Sequence, residues 1–169
     1  MEIHCSKEMT KEIQLSKQLF FDECKNSLGF LTNEYGFSAP EAILHKEVAL
    51  FDTIFYKRKV AVECTYDIRD KMPSLYIVKL EAGKKPDCYR VNKKGEVVRE
   101  YLTALLMARG VRDLKLDIQI NDQNLPQQQI DLREYLLGNA KLLRLYGKDI
   151  LNDSTDIFNY ISPDKGDRF

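Results

Sequence analysis

Between Lys59 and Asp67 apolar and polar side chains alternate, with Val60, Val62, Cys64 and Tyr66 on one side and Ala61, Glu63, Thr65 and Asp67 on the other. A period of two predicts a strand with one face on a core and one towards water. The preceding run, Val48 to Tyr56, reads as a partner strand, joined to it through the basic turn Lys57-Arg58-Lys59. Charges and Pro73 mark Asp67 to Ser74 as a loop, after which Leu75 to Leu80 (LYIVKL) reads as a third strand. Short connections between successive strands predict an antiparallel meander, closed by Gly83-Lys-Lys-Pro86.

Around this sheet the period changes to a helical one. Met9, Ile13, Leu19, Phe20, Cys24, Leu28 and Leu31 predict a first helix from about Lys7 to Tyr35, with Ser6 as its cap and Gly36 as its stop. Gly29 is a weak point that could split it. Phe37 to His45 is open between a helical turn, favoured by the Ser38-Ala-Pro-Glu41 spacing, and a short edge strand. Further on, Cys88 to Val91 could add a short strand. Val97, Val98, Tyr101, Leu102, Leu105 and Leu106 predict a helix over about Gly95 to Arg109, ended by Gly110. The alternation Leu114, Leu116, Ile118, Ile120 predicts another strand, and the glutamine-rich Asn121 to Gln129 a connection. Leu132, Leu136, Ala140, Leu143 and Tyr146 predict a closing helix that ends around Gly147 or Leu151. Asp153 or Ser154 can cap a last short helix carrying Ile157, Phe158 and Ile161, before a polar tail that frays. The expectation is one α+β domain spanning residues 1–169: a central antiparallel β-sheet meander flanked by N-terminal and C-terminal helices.

Composition narrows the function more than it changes the fold. The chain has 169 residues, 44% hydrophobic and 31% charged, the profile of a folded domain able to bury a core without disulfides or metals. Its 26 basic and 26 acidic side chains cancel, which argues against a protein built chiefly to grip nucleic acid. No apolar run reaches membrane-spanning length and no basic-then-apolar leader opens the chain, so a cytoplasmic protein is expected. Cys5, Cys24, Cys64 and Cys88 include no CxxC pair and read as reduced thiols, Cys24 and Cys64 as core fillers.

Candidate chemistry is sparse. His4 and His45 are the only histidines, and no nucleophile motif accompanies His45. Zinc-ligand spacings and glycine-rich phosphate loops are missing from the sequence, so no cofactor is expected. Pro86-Asp87 followed by Asp113-Leu114-Lys115 formally matches the acidic pair and lysine of restriction-endonuclease-like nucleases, which hold a divalent ion between such carboxylates. The helix expected between these pieces interrupts strands that should be adjacent, and solvated charges are the stronger reading. The basic group Lys84, Lys85, Arg90, Lys93, Lys94 and Arg99 has Tyr89 as its one aromatic and reads as a solvated loop. That leaves the polar side of the central strand. If no helix covers it, Glu63, Thr65 and Asp67, with Arg69 just beyond, form an exposed patch able to bind a partner electrostatically.

Three stretches carry a resemblance: V-A-V-E-C-T-Y-D-I-R-D (Val60 to Asp70), N-A-K-L-L-R-L-Y-G-K-D-I-L-N-D-S-T-D-I-F (Asn139 to Phe158) and F-L-x-x-E-Y-G-F (Phe30 to Phe37). Together they are similar to small bacterial α+β proteins that look like immunity proteins of toxin systems, including contact-dependent growth inhibition. The closing run departs from them at Asp153-Ser154-Thr155, where Gly-Asp-Phe often stands. The resemblance implies a non-enzymatic, cytoplasmic binding protein whose partner is a cognate toxin, while the charge balance and the short apolar runs lead to the expectation that neither nucleic acid nor membrane is engaged. It carries over no individual functional residue. The competing expectations are a divalent-metal nuclease using Asp87, Asp113 and Lys115, and an adaptor without a toxin.

Overall fold

The alternating stretch forms the middle strand of a five-stranded antiparallel sheet whose spatial order follows the sequence. The structure, a computed structural model, describes residues 4–115 and 118–163, with side chains from Ser16 onward. Its strands are β1 (Glu41–His45), β2 (Leu50–Tyr56), β3 (Val60–Asp67), β4 (Met72–Lys79) and β5 (Arg99–Tyr101). The helices are α1 (His4–Leu28), α2 (Phe30–Tyr35), α3 (Leu102–Ala108), α4 (Gln127–Tyr146) and α5 (Lys148–Leu151), followed by a 3-10 turn, Asp156–Tyr160. The meander and its flanking helices are therefore as the sequence predicts. Phe37–His45 resolves as an extended edge: Ser38 N–H donates to the Tyr56 carbonyl and β1 pairs with β2.

The sheet face bearing Phe51, Phe55, Val62, Cys64, Tyr66, Leu75 and Ile77 meets the helices and makes the main core. Phe20 of α1 lies 5.3 Å from the Tyr66 ring and 6.5 Å from that of Phe51, and α4 adds Leu132, Leu136 and Leu143. Burying side chains of this size supplies about 1.5–3 kcal/mol each. The layers are also tied by polar contacts. Glu23 on α1 receives the Arg133 guanidinium of α4 at 2.6 and 2.9 Å and the Gln129 amide at 2.8 Å. Burial works to raise the Glu23 pKa, but these donors prevail and hold it below its ordinary value.

Local chemistry explains where the first helix breaks. A Cβ on Gly29 would stand 2.6 Å from the Lys25 carbonyl oxygen, so glycine is needed at the α1–α2 junction. Gly36 adopts φ 70°, which ends α2 at left-handed backbone that glycine accepts without strain. Ser6 lies inside α1, which starts by His4, and does not cap it.

Three further expectations fail. Pro73 belongs to β4, opposite Tyr66, instead of marking a loop. The helix expected over Gly95–Arg109 begins only at Leu102, because Arg99–Tyr101 pairs with Tyr76–Val78 as β5; sheet pairing overrides the apolar spacing. Leu114–Ile120 forms no strand among its described residues, and Leu116 and Asp117 lie outside them. Cys88–Val91 contributes a single bridge, Val91 to Val97.

The parity of the ladder shows how β4 closes its outer edge. Lys79 N–H points outward to the Val98 carbonyl, so Pro73, Leu75 and Ile77 point the same way. Ile77 faces β5. Leu75 N–H donates to the Tyr135 hydroxyl of α4 at 2.8 Å, and Pro73 has no N–H to offer. A tyrosine and a proline thus stand in for a neighbouring strand. Tyr135→Phe is expected to lower stability by about 1–3 kcal/mol, since the Leu75 N–H is left unpaired. Urea unfolding with an unchanged slope is the measurement, and a midpoint equal to the parent's would show that water replaces the hydroxyl.

Candidate functional site

The second face of the sheet is not the exposed polar patch expected of it. Glu63 is fully buried and Thr65 nearly so, while Asp67 is partly exposed and Arg69 exposed. The chain between β4 and β5 returns over this face and covers it. Lys85 reaches Glu63 and Asp52, Tyr89 lies over Arg99, and Leu80 joins Ile54, Ala61 and Val78 in a small second apolar cluster. The physical reason is charge: a carboxylate buried within the β3 ladder is matched by cations that the return segment brings to it.

Glu63 is the centre of that arrangement. Its Oε1 receives Arg99 Nε at 2.8 Å and Nη2 at 2.5 Å, and its Oε2 contacts the Lys85 ammonium. The pairing is set by register, since Glu63 faces Tyr76 across β3–β4 and Arg99 faces Val78 across β4–β5. Burial works against the charge of Arg99, but the neighbouring Glu63 carboxylate outweighs it and holds the guanidinium above its ordinary pKa.

The guanidinium plane is also clasped by aromatic rings. Its central carbon lies 3.4 Å from the Tyr76 ring centroid and 4.8 Å from that of Tyr89. Tyr76 in turn stacks on Tyr101 at 4.4 Å. The result is a pile in which the Arg99 guanidinium contacts Tyr76 and Tyr89, Tyr76 contacts Tyr101, and Glu63 binds the guanidinium. Burial first, then the neighbouring Tyr101 and Tyr89 hydroxyls, push the Tyr76 phenol well above its ordinary pKa, so it stays neutral and able to donate. The outer rings remain in solvent, Tyr89 71% and Tyr101 42% exposed.

A second group adjoins the first. Asp52 on β2 accepts from Thr65 Oγ1 at 2.9 Å, meets His45 Nε2 at 2.7 Å and lies 3.8 Å from the Lys85 ammonium. The buried carboxylate orients the half-exposed His45 ring and leaves its Nδ1 free of any partner among the described residues. At the open end of the face, Asp67 accepts from the Arg69 and Asp70 N–H groups at 2.8 and 3.2 Å. Slight burial works to raise its pKa, yet these donors and the Arg69 guanidinium keep the carboxyl below its ordinary range.

Of the expected patch, then, Glu63 and Thr65 are internal supports, and Asp67 and Arg69 are surface groups at the β3–β4 turn. Sequence reading missed Asp52, Tyr76, Lys85 and Arg99. A signal for Asp52 was present: aligning β2 on β3 through the Lys57-Arg58-Lys59 turn sets Asp52 opposite Thr65, among apolar neighbours. Half of the group read as a solvated basic loop has turned inward, Lys85 and Arg99 to Glu63 and Arg90 to Glu100 at 2.7 Å.

The nuclease-like residues are dispersed over loops. Asp87 lines a shallow cleft of about 320 Å³ with Glu81, Cys88, Asn92 and Lys94. Asp113 lies in the irregular segment after α3, where its carboxylate accepts from the Lys115 N–H at 3.3 Å. The strand that this motif needs under Asp113 and Lys115 is not formed by the described residues. Among the described residues no group of three or more His, Cys, Asp or Glu side chains is arranged to hold a metal ion, and no helix is long and apolar enough to cross a membrane. No protein-family model, curated protein or solved structure matches the chain.

Proposed function

We propose that the chain is a non-enzymatic binding protein, specifically a cytoplasmic immunity protein that neutralises a cognate toxin by covering its active site. The observation that carries this reading is the pile Tyr89–Arg99–Tyr76–Tyr101, which presents solvent-exposed tyrosines on a fixed support. Tyrosine and arginine held in one conformation are the side chains that dominate protein–protein affinity, because little rotamer freedom is left to lose on contact. Buried Glu63 supplies that rigidity. Further along the same face, past Ser74 and Met72, Asp67 and Arg69 add charged groups suited to the rim of an interface. The resemblance of Val60–Asp70 and Asn139–Phe158 to immunity proteins gives the partner its class. Occlusion by such a surface needs little rearrangement of the backbone.

The test is co-expression with the toxin domain encoded immediately upstream. The expected result is survival of the cells and capture of the toxin. Tyr89→Ala with Tyr101→Ala should weaken that capture by roughly ten- to a hundredfold while leaving the fold intact. Unprotected cells and no captured toxin would overturn the proposal. Capture at full affinity by the double variant would move the contact off this face.

A further inference from the structure

Among the described residues the sheet guards one edge and leaves the other open. The β4 edge is closed by β5, Pro73 and the Tyr135 hydroxyl, whereas no backbone hydrogen bond from the described residues reaches the outer side of β1. Ladder parity identifies what that side offers. Lys57 N–H bonds the Val60 carbonyl, and Ser38 N–H the Tyr56 carbonyl, which directs the N–H groups of Leu50, Asp52, Ile54 and Tyr56 towards β1. Their partners Glu41, Ile43 and His45 bond inward, so the N–H and C=O of Ala42 and Leu44 point outward.

We infer that β1 pairs with β1 of a second copy of this chain, antiparallel about a two-fold axis at Ile43, extending the sheet across the dimer. This register sets Ala42 opposite Leu44 of the second copy, and those are the positions whose backbone groups face outward. The pairing would form about four backbone hydrogen bonds and satisfy every outward group of both strands. Ile43 meets its own counterpart on the axis. Glu41 meets His45 of the second copy in a non-hydrogen-bonded pair, the geometry that brings side chains closest. Glu41 of the second copy is thereby set beside the ring of His45, which Asp52 holds through Nε2 and whose Nδ1 has no partner among the described residues. A shift of one residue would lose this complementarity and place Ala42 and Leu44 on the wrong faces. Glu41, Ala42 and His45 are exposed, and Ile43 and Leu44 half-buried, so the partner reaches them without rearrangement. The inference is independent of the toxin reading, which uses the opposite end of the sheet.

A contact between short strands lies at the small end of interface size, and a dissociation constant on the order of 0.1 mM is expected. Sedimentation equilibrium on the full chain, from about 10 μM to about 1 mM, should show a reversible doubling of mass across that constant. Ala42→Pro removes an outward N–H that β2 does not use, and should leave a monomer with unchanged circular dichroism. Glu41→Lys removes the carboxylate that this register sets beside His45 and should weaken dimerisation about tenfold, and it stays informative should the proline variant not fold. A monomer at all concentrations overturns the inference, leaving the edge to some other strand or to solvent. A dimer that Glu41→Lys and Ala42→Pro both leave intact overturns it too.

Discussion

Replacing Arg99 by methionine should destabilise the protein by about 3–5 kcal/mol, the range found when one partner of a buried ion pair is removed. Glu63 has no solvent-accessible side-chain surface and Arg99 only 9%, so water cannot take over the lost contacts. Lys85 would remain against Glu63, but its side chain is 29% exposed and it also serves Asp52. The aromatic pile would lose its cation, leaving Tyr76 and Tyr89 without the planar group that both rings contact. Arg99→Lys should recover little, because a lysine ammonium supplies neither the fork that binds Glu63 Oε1 nor a plane for the rings. Glu63→Leu combined with Arg99→Met should be milder than the sum of the single changes, since both buried charges then leave together. Urea unfolding of the four proteins gives the coupling. A loss below about 1 kcal/mol for Arg99→Met would mean that the pair behaves as a solvated one.

The same side chains show what the sequence could and could not reveal. Strand periods in Leu50–Tyr56 and Val60–Asp67 are local properties of the chain, and so is the helical spacing of Leu132 to Tyr146, so these elements were legible. The polarity of Glu63 and Thr65 was legible too, but what covers them was not. Their cover arrives from Lys85, Tyr89 and Arg99, well downstream, and neither residue's immediate neighbours hint at it. Val97 to Leu106 misled because its apolar spacing fits a helix, while three of its residues, Arg99 to Tyr101, are held in β5 by pairing with Tyr76–Val78. Pro73 misled for a related reason: proline is tolerated in β4 because that position faces an edge with no strand beside it among the described residues. In each case a long-range contact decided between locally plausible states. The candidate site was the least legible part because its chemistry consists of such contacts.

Lys57→Met is expected to cost about 2–3 kcal/mol, the next largest effect of a polar substitution. The Lys57 ammonium donates to the Tyr35 carbonyl at 2.5 Å and to the Leu151 carbonyl at 2.7 Å, and lies 5.2 Å from the Phe37 ring centroid. Those carbonyls end α2 and α5, where a cation is favoured by the helix dipole and by acceptors that no helical N–H can reach. One side chain in the β2–β3 turn therefore fastens elements from both ends of the chain. The turn's backbone strengthens the attachment, with Lys59 and Val60 N–H donating to Asp153 at 2.7 and 3.3 Å. Methionine keeps most of the apolar stem, so the loss measures the ammonium and its acceptors more than packing. Lys59→Met is the control: its contact with Asp153 is made through the backbone, and the change should stay within about 0.5 kcal/mol. Hydrogen exchange locates the effect, with protection expected to fall first over Lys148–Tyr160 in the Lys57 variant and to be kept in the Lys59 variant. Equal effects of both substitutions would show that the turn acts through its general positive charge and not through the bonds of Lys57.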